Sequence, residues 1–581
     1  MNEKLTASLA SPFPPLCPGG PAEALVAGKG EEWERLPPSL IQVLNNRGFR
    51  TAEQLAAFLS PLLESLASPD AFPHMGAAIK CLREAIRLEE PIAIYADRDV
   101  DGLSGLAILL RTLRTLGGHV HWGSPLQGRG LERAVLEDLV HLKKARVLIL
   151  VDCGAGEEVE ITWLSNLGVK VIVADHHRLT GERPPAFAWI HPGVMSEDSA
   201  EVPAGCVMAF KLAHALWLSF LGNSEPERLN YFLFDHLDLL CLGILADRMP
   251  LTGENRTLVW HGLRRMAKTR KAGLESLLRF FRLSPRSGPL TVREVTWQII
   301  PMLNAAGRLG QPRWTADLLT TEDSWMARDC IDALMDLNTQ RRTAQVKSVE
   351  LFEKAVLEQC LVETDPILVA IARGLEPSVT GLAAQALMKK YGRPAFLFVN
   401  QGEHSVGSAR GTGEMDLFAC VEEHKELLVK YGGHQGAVGM TVRTTDFVIF
   451  RERLMQTGRR GARPAVDVSA VVEARVSLRE LDQDWWEQLQ RLEPFGPEFP
   501  CPVFLIENVE IIEAVNKRKV QALLLKTGSQ ALMAEMAFGK APLGEGPWDV
   551  AGYPVCGRKG EPLFKWIIQS VTKNGVVNKN L

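Results

Sequence analysis

The sequence predicts an α/β protein with a parallel-sheet domain, a second α/β unit beyond a long helix, and a small C-terminal β-barrel. Three observations carry this. Apolar runs at 92–96 (IAIYA), 146–151 (RVLILV) and 170–174 (KVIVA) alternate with helix-favouring stretches at 103–116 and 157–167, and a doubly wound parallel sheet is the economical solution of that βαβ rhythm. Residues 325–359 have helical composition with few breakers and read as a helix joining two domains. Beyond 464, short alternating runs at 502–506, 509–515 and 520–525 read as strands of a small antiparallel barrel.

The totals bound the answer. A chain of 581 residues implies several domains, each with its own core. The apolar share of 46% is ordinary for a globular protein. The stretch 231–249 comes nearest to a membrane span, but Asp235, His236, Asp238 and Asp247 interrupt it, so no membrane partner is expected. The N-terminus has no apolar h-region and reads as lacking a signal peptide. Ten cysteines without a CxxC pair fit reduced thiols in a cytoplasm rather than a zinc site or disulfide frame. A net charge of −4 argues against wholesale coating of nucleic acid and leaves room for a local basic groove.

In chain order, residues 1–30 are rich in proline and glycine and read as poorly ordered. Residues up to 85 form a helical segment, and 86–324 the parallel-sheet domain. Arg264, Arg265, Lys268, Arg270, Lys271, Arg279, Arg282 and Arg286 crowd its later part, as a solvated helix face or a contact surface for phosphates. The connecting helix occupies 325–360. The second α/β unit spans 361–457, with strands at 366–372 and 394–399. Gly407–Gly411 and Gly432–His434 read as glycine-rich turns, where backbone N–H groups can approach a phosphate and Arg410 and His434 add charge or donors. RRGARP, 459–464, reads as a linker that few contacts cross. The barrel is assigned to 464–581.

The chemistry lies at the ends of the predicted strands. Asp97, Asp99 and Asp101 follow the first, Asp152 the second, and Asp175, His176 and His177 the third; Asp247 ends a further apolar run at 237–246. Close carboxylates repel one another and so usually hold cations, although Asp99 or Asp101 could merely cap a helix and Asp247 pair with Arg248. Carboxylates with one or two imidazoles and no thiolate suit Mn²⁺ or Mg²⁺. Five or more ligands suit two ions sharing a carboxylate, and Asp152, central in order, is chosen as the bridge.

These residues resemble a known family. DRDVDG, VDCG, ADHH and LADRMPLTGENR are similar to the ordered motifs of the DHH phosphoesterases, and GCVMAFKLAHAL, PMLNAAGRLG, LNTQRR, GSARG, YGGHQGAVG and LEPFGPEFPCPVF continue the likeness to the end of the chain. The likeness is greatest to the single-strand-specific 5′→3′ DNA exonucleases of that superfamily. It implies a DHH domain, a DHH-associated substrate-binding domain and a C-terminal OB-fold. It implies metal-binding roles for Asp97, Asp99, Asp152, His176 and Asp247, and catalytic ones for Asp101 and His177. Arg308 is implied to grip the 5′ end; Ser408, Arg410, Gly433 and His434 to bind substrate; Lys517, Arg518 and Lys519 to contact the DNA backbone. Phe504, Phe538, Trp548, Phe564 and Trp566 are candidates for base stacking or for core. The sequence departs from the family at Ala96, Arg98 and Val100 in the first motif. It departs again in the shortened loop 124–131, at Leu375 and Glu376, and at PEFP, 497–500.

The expectation is a two-metal 5′→3′ exonuclease on single-stranded DNA, acting in repair and recombination, with single-strand-binding protein and a helicase as partners. A phosphodiesterase on short oligonucleotides or cyclic dinucleotides is the alternative, but a small substrate needs no barrel. A non-enzymatic DNA-binding scaffold is a third, which the full acid and histidine set argues against.

Overall fold

The computed structural model describes residues 35–126, 130–179, 183–195, 202–221, 226–283, 290–411, 415–461, 472–517, 520–537, 547–556 and 564–573. The chain forms two compact units: one of residues 1–300, 316–327 and 469–581, the other of 301–315 and 328–468.

The first unit contains a five-stranded sheet of β1 (Ile92–Ala96), β2 (Val120–Gly123), β3 (Val147–Val151), β4 (Lys170–Ala174) and β5 (Ala188–Ile190). Its order is β2-β1-β3-β4-β5 and every pairing is parallel. All five residues of β1 and of β3 are buried, which is why both read as unbroken apolar runs: helices cover each face. The edge strands β2 and β5 are four and three residues long, too short to announce themselves in the sequence. The strand order reverses between β1 and β3, and in open α/β sheets ligands bind outside the carboxyl ends at such a point. The helix Val100–Thr115 leaves that point, capped by Asp99, and packs against the helices Gly205–Leu221 and Pro226–Ala246. Among the described residues no helix is long and apolar enough to cross a membrane.

The same unit holds the barrel, β12 (Phe504–Lys517), β13 (Val520–Thr527), β14 (Gln530–Ala537), β15 (Trp548–Cys556) and β16 (Phe564–Lys573), with the two-residue β11 (Ala474–Arg475) beside it. Pairing of β12 with β15 closes it. It is not wholly antiparallel: β14 and β16 run parallel, as at least one pair must when an odd number of strands closes into a ring.

The N-terminal helices Pro38–Asn46 and Ala52–Leu59 share the barrel's core. Leu40, Val43, Leu44 and Leu55 join Trp485, Phe504, Leu523 and Trp566 in one buried cluster. Arg47 grips the Glu473 carboxylate with two hydrogen bonds of 2.7 Å, and the Trp485 indole donates to Ser39 Oγ at 2.9 Å. Many contacts therefore tie the tail to the rest of its unit, contrary to the expectation that few would. Arg459–Gly461 are also the last turn of the helix Phe447–Gly461 rather than linker, and 462–464 lie outside the described residues.

The second unit carries a sheet of order β6-β7-β8-β10-β9, formed by β6 (Leu368–Ala372), β7 (Ala395–Gln401), β8 (His404–Arg410), β9 (Leu428–His434) and β10 (Ala437–Arg443). Only β6 and β7 pair in parallel. The glycine-rich segments expected as turns lie mostly within β8 and β9. The glycines are there for close approach: a Cβ at Gly407 would sit 2.4 Å from the Phe398 ring, and one at Gly433, where φ is 145°, would sit 2.3 Å from the Ala437 carbonyl oxygen. The helix Ser324–Gln359 spans 36 residues, as its composition predicts.

Candidate metal centre

The backbone ladder sets the site. Beyond the ends of β1, β3 and β4, Asp97 N donates to Val151 O (3.1 Å), Asp152 N to Ala174 O (3.0 Å) and Asp175 N to Ile190 O (3.3 Å). Each hydrogen bond extends the sheet by one residue, so three acids stand in a row at its carboxyl edge. Asp152 takes φ of 58°, a left-handed conformation uncommon for any residue but glycine, and such strain gathers at functional sites. Two glycines make room. A Cβ at Gly102 would lie 2.5 Å from Asp97 O, and one at Gly205 2.5 Å from Asp152 Oδ1.

Three ligand groups overlap here, the atoms of each within 4.8 Å of one another: Asp97, Asp99 and Asp152; Asp152, His176 and His177; Asp101, His176 and Asp247. His176 Nε2 lies 3.2 Å from Asp152 Oδ1, 3.5 Å from Asp247 Oδ2 and 3.9 Å from Asp101 Oδ2. Seven of the eight side chains named in this part of the sequence thus meet as potential ligands; the eighth is Asp175. Asp99 also caps its helix, accepting from the N–H groups of Asp101 (3.0 Å) and Gly102 (3.2 Å), so the capping and ligand readings are compatible.

Burial and mutual repulsion shape the electrostatics. Burial raises the Asp152 carboxyl well above the usual range, and the charges of Asp101, Asp99 and Asp97 push it further. Burial likewise raises Asp101, with His176 opposing. Such a cluster is hard to ionise fully without a cation. Asp152 Oδ1 is buried and accepts no hydrogen bond, an orphaned oxygen that a metal ion would satisfy. An all-oxygen-and-imidazole donor set fits Mn²⁺ or Mg²⁺.

The adjacent histidines diverge. The His176 side chain is 8% exposed and the His177 side chain 56%. Burial lowers His176 below its ordinary value against the pull of Asp101. Partial desolvation opposes charge on the half-exposed His177, but its Asp175 hydrogen bond prevails and raises it to about 9. Asp175, named in the sequence beside the two histidines but given no role there, organises this pair. Its Oδ1 accepts from His176 N (2.7 Å), His177 N (3.2 Å) and His177 Nδ1 (2.8 Å), and its Oδ2 from Ala155 N (2.9 Å). Burial opposes its ionisation, and the His177 hydrogen bond outweighs that and lowers it. Its place immediately before the two histidines was the available signal. Asp101, expected to be catalytic, spends Oδ2 on Gly205 N (2.7 Å) and Oδ1 on Cys206 N (2.9 Å), anchoring the start of the helix Gly205–Leu221.

The remaining candidates divide between the units. Arg308 is exposed at the end of the helix Ile300–Arg308, in the second unit. In that unit Ser408 Oγ lies 2.9 Å from Thr380 Oγ1, and a Cβ at Gly381 would come within 2.8 Å of the Arg410 guanidinium, so Thr380 and Gly381 join Ser408 and Arg410. Gly433 is on β9 beside His434. Lys517 ends β12, while Arg518, Lys519, Phe538 and Arg286 lie outside the described residues. Phe504, Phe564 and Trp566 are core, and Trp548 packs against that core, so these rings are not free to stack on bases. The basic stretch is partly structural: Arg256 and Lys271 are buried, and Arg264 stacks on Trp260 at 3.3 Å.

Three family models match the chain: the DHH family N-terminal domain at 91–244, the DHHA1 domain at 364–456 and the RecJ OB domain at 472–555. The single-stranded-DNA-specific exonuclease RecJ of Bacillus subtilis is 30% identical over 88% of this chain, and that of Thermus thermophilus 33% identical over 79%. The chain spans 64% of the length of each. The crystal structure of the Thermus protein with Mn²⁺ superposes with a TM-score of 0.78 at 27% identity, covering 94% of this chain and 79% of that one. A structure of exonuclease RecJ bound to manganese is 31% identical, with a TM-score of 0.56, covering 70% of this chain and 99% of that one. With its DHH, DHHA1 and OB domains in that order, the chain belongs to the RecJ family.

Proposed function

We propose that the protein is a metal-dependent exonuclease that hydrolyses single-stranded DNA from the 5′ end, using two Mn²⁺ or Mg²⁺ ions. The observation that carries this is the overlap of ligand groups around Asp152. Metal ions bound there supply an activated water and neutralise the attacked phosphate. Asp97, Asp99 and Asp152 would hold one ion, and Asp152, His176 and Asp247 the other. Asp101, with both oxygens engaged by backbone N–H groups, acts as a positioning residue for Asp152 and His176. His177 is oriented through Nδ1 by Asp175, which leaves Nε2 to contact the scissile phosphate or give a proton to the departing 3′ oxygen.

Arg308 grips the 5′ terminal phosphate, and Ser408, Arg410, Gly433 and His434 hold the strand behind it. Lys517, at the end of β12, adds a backbone contact together with Arg518 and Lys519. The names of the relatives support this reading of the substrate; a cytoplasmic setting, with a helicase and a single-strand-binding protein as partners, is part of the same proposal. The domain limits proposed are 1–85, 86–324, 325–360, 361–457 and 464–581.

The test is digestion of 5′- and 3′-labelled single strands, a duplex and a dinucleotide with Mn²⁺, Mg²⁺ or chelator. Metal-dependent release of mononucleotides from the 5′ end of single strands is expected. Release from the 3′ end, or cleavage of the dinucleotide alone, would overturn the reading.

A further inference from the structure

A cleft of about 470 Å³ opens in the first unit away from the metal centre, lined among others by Arg111, Arg265, Arg270 and Lys271, by Asp235, and by Phe234. Arg111 sits on the same helix as Asp101, ten residues on. At a rise of 1.5 Å per residue that places the two about 15 Å apart.

The cations here are poorly satisfied. Asp235 is shared by three of them at long range: Arg111 at 3.6 Å, Arg265 at 3.5 Å and Lys271 at 3.5 Å. The Nε atoms of Arg111 and Arg265 are buried and have no hydrogen-bond partner. Arg270 makes no ion pair among the described residues, and the only other acid on the lining, Glu322, is 85% exposed and 3.6 Å from Arg111. Lys271 is the neutralised one. It is held by the fully buried Asp238 at 3.0 Å, which also accepts from Thr269 Oγ1 at 2.7 Å. The neighbouring His236 is buried and kept neutral, its pKa driven down to about 3 by burial and by Lys271. Three arginines with unspent donors thus face one shared carboxylate and one solvated one.

Arginine donors in such a fork match phosphate oxygens in pairs. Beside them Phe234 is 46% exposed, and with Ala272 it forms the apolar part of the lining. The volume falls within the roughly 300–1,000 Å³ of small-ligand sites. We propose that this cleft is a second, non-catalytic site for a nucleoside monophosphate, with the phosphate on Arg111, Arg265 and Arg270 and the base on Phe234. If the reading in the preceding section holds, the ligand is the enzyme's own product, and the site lets released nucleotide report back to the domain that made it.

Binding of dTMP, thymidine and inorganic phosphate to the full chain is measured by calorimetry in chelator, so that the metal centre takes no part. The wild type should bind dTMP, phosphate at least tenfold more weakly, and thymidine not at all. Arg111→Ala/Arg265→Ala, and separately Phe234→Ala, each checked by melting, should lose at least tenfold in dTMP affinity. Asp152→Ala should bind as the wild type does. Equal affinity for dTMP and phosphate, loss of binding in Asp152→Ala, or full binding by the arginine double variant would each overturn the site. Cleavage by the same proteins is assayed apart: a wild type that binds dTMP but cuts no DNA contradicts the exonuclease reading and leaves the cleft standing, and the converse result does the reverse.

Discussion

Replacing Arg256 should be among the most damaging changes to stability outside the metal centre. Its guanidinium is buried and donates to Pro494 O (2.9 Å), Leu492 O (2.9 Å) and Glu493 O (3.1 Å) while lying 3.5 Å over the Phe58 ring. One side chain therefore joins the helix Gly253–Met266, the N-terminal helices and the segment leading into the barrel. Hydrogen bonds to a charged group contribute about 1.5–3 kcal/mol each, and a desolvated cation–π contact about 2. These do not add, and relief of the buried charge offsets part of the loss, so Arg256→Ala should cost about 3–5 kcal/mol. The damage should reach the metals. Leu251 N donates to Pro497 O at 2.9 Å, so the stretch from Leu251 to Arg256, which follows Asp247, is docked on 492–497. Arg256→Lys should rescue little, because an ammonium cannot span three carbonyls and a ring face. Urea unfolding gives the stability change and Mn²⁺ titration the metal affinity. A loss under about 1 kcal/mol with unchanged Mn²⁺ affinity would refute the idea that this clamp supports Asp247.

Further predictions concern the histidines, a half-buried acid and the tail. His176→Ala should lower both Mn²⁺ occupancy and turnover, whereas His177→Ala should lower turnover far more than occupancy; equal loss of bound metal would reject the division. Glu493 is half-buried, and its desolvation raises its pKa from 4.5 to about 7 despite Arg256 nearby. The native state then holds a proton that the unfolded chain has released, so stability should fall by on the order of 3 kcal/mol as pH rises from about 4.5 to 7. Glu493→Gln should flatten that slope in pH-dependent melts. A chain ending at Gly461 would strip cover from Leu40, Val43, Leu44 and Leu55 and remove both arginine clamps. It should melt far below the full chain and lose cleavage even of short oligonucleotides, and cooperative melting near the full-length temperature would show that the shared core matters little.

The metal centre was legible because its acids directly follow buried strands whose apolar runs announce themselves, and a parallel sheet delivers all of them to one edge. What stayed hidden is chiefly long-range. Residues 38–59 and 485–566 form one core across more than 400 positions, and no local period encodes that partnership. Nothing in the sequence marks Arg256 as buried, and only the carbonyls of 492–494 reveal it as a clamp. Asp101 and Asp175 are carboxylates like their neighbours, and what sets them apart is the backbone N–H groups they accept from, which sequence does not display. Glycines in β8 and β9 read as turns because a strand that needs room for Phe398 and for the Ala437 carbonyl carries the same residues as a tight connection.

The central claim is that Asp152 serves two ions at once. Counting Mn²⁺ bound per chain at equilibrium, in the wild type and in Asp152→Asn proteins of matched melting temperature, tests it most directly. The account predicts two ions in the wild type and loss of both tight sites in the variant. One ion in the wild type, or two still tightly held by Asp152→Asn, would contradict it.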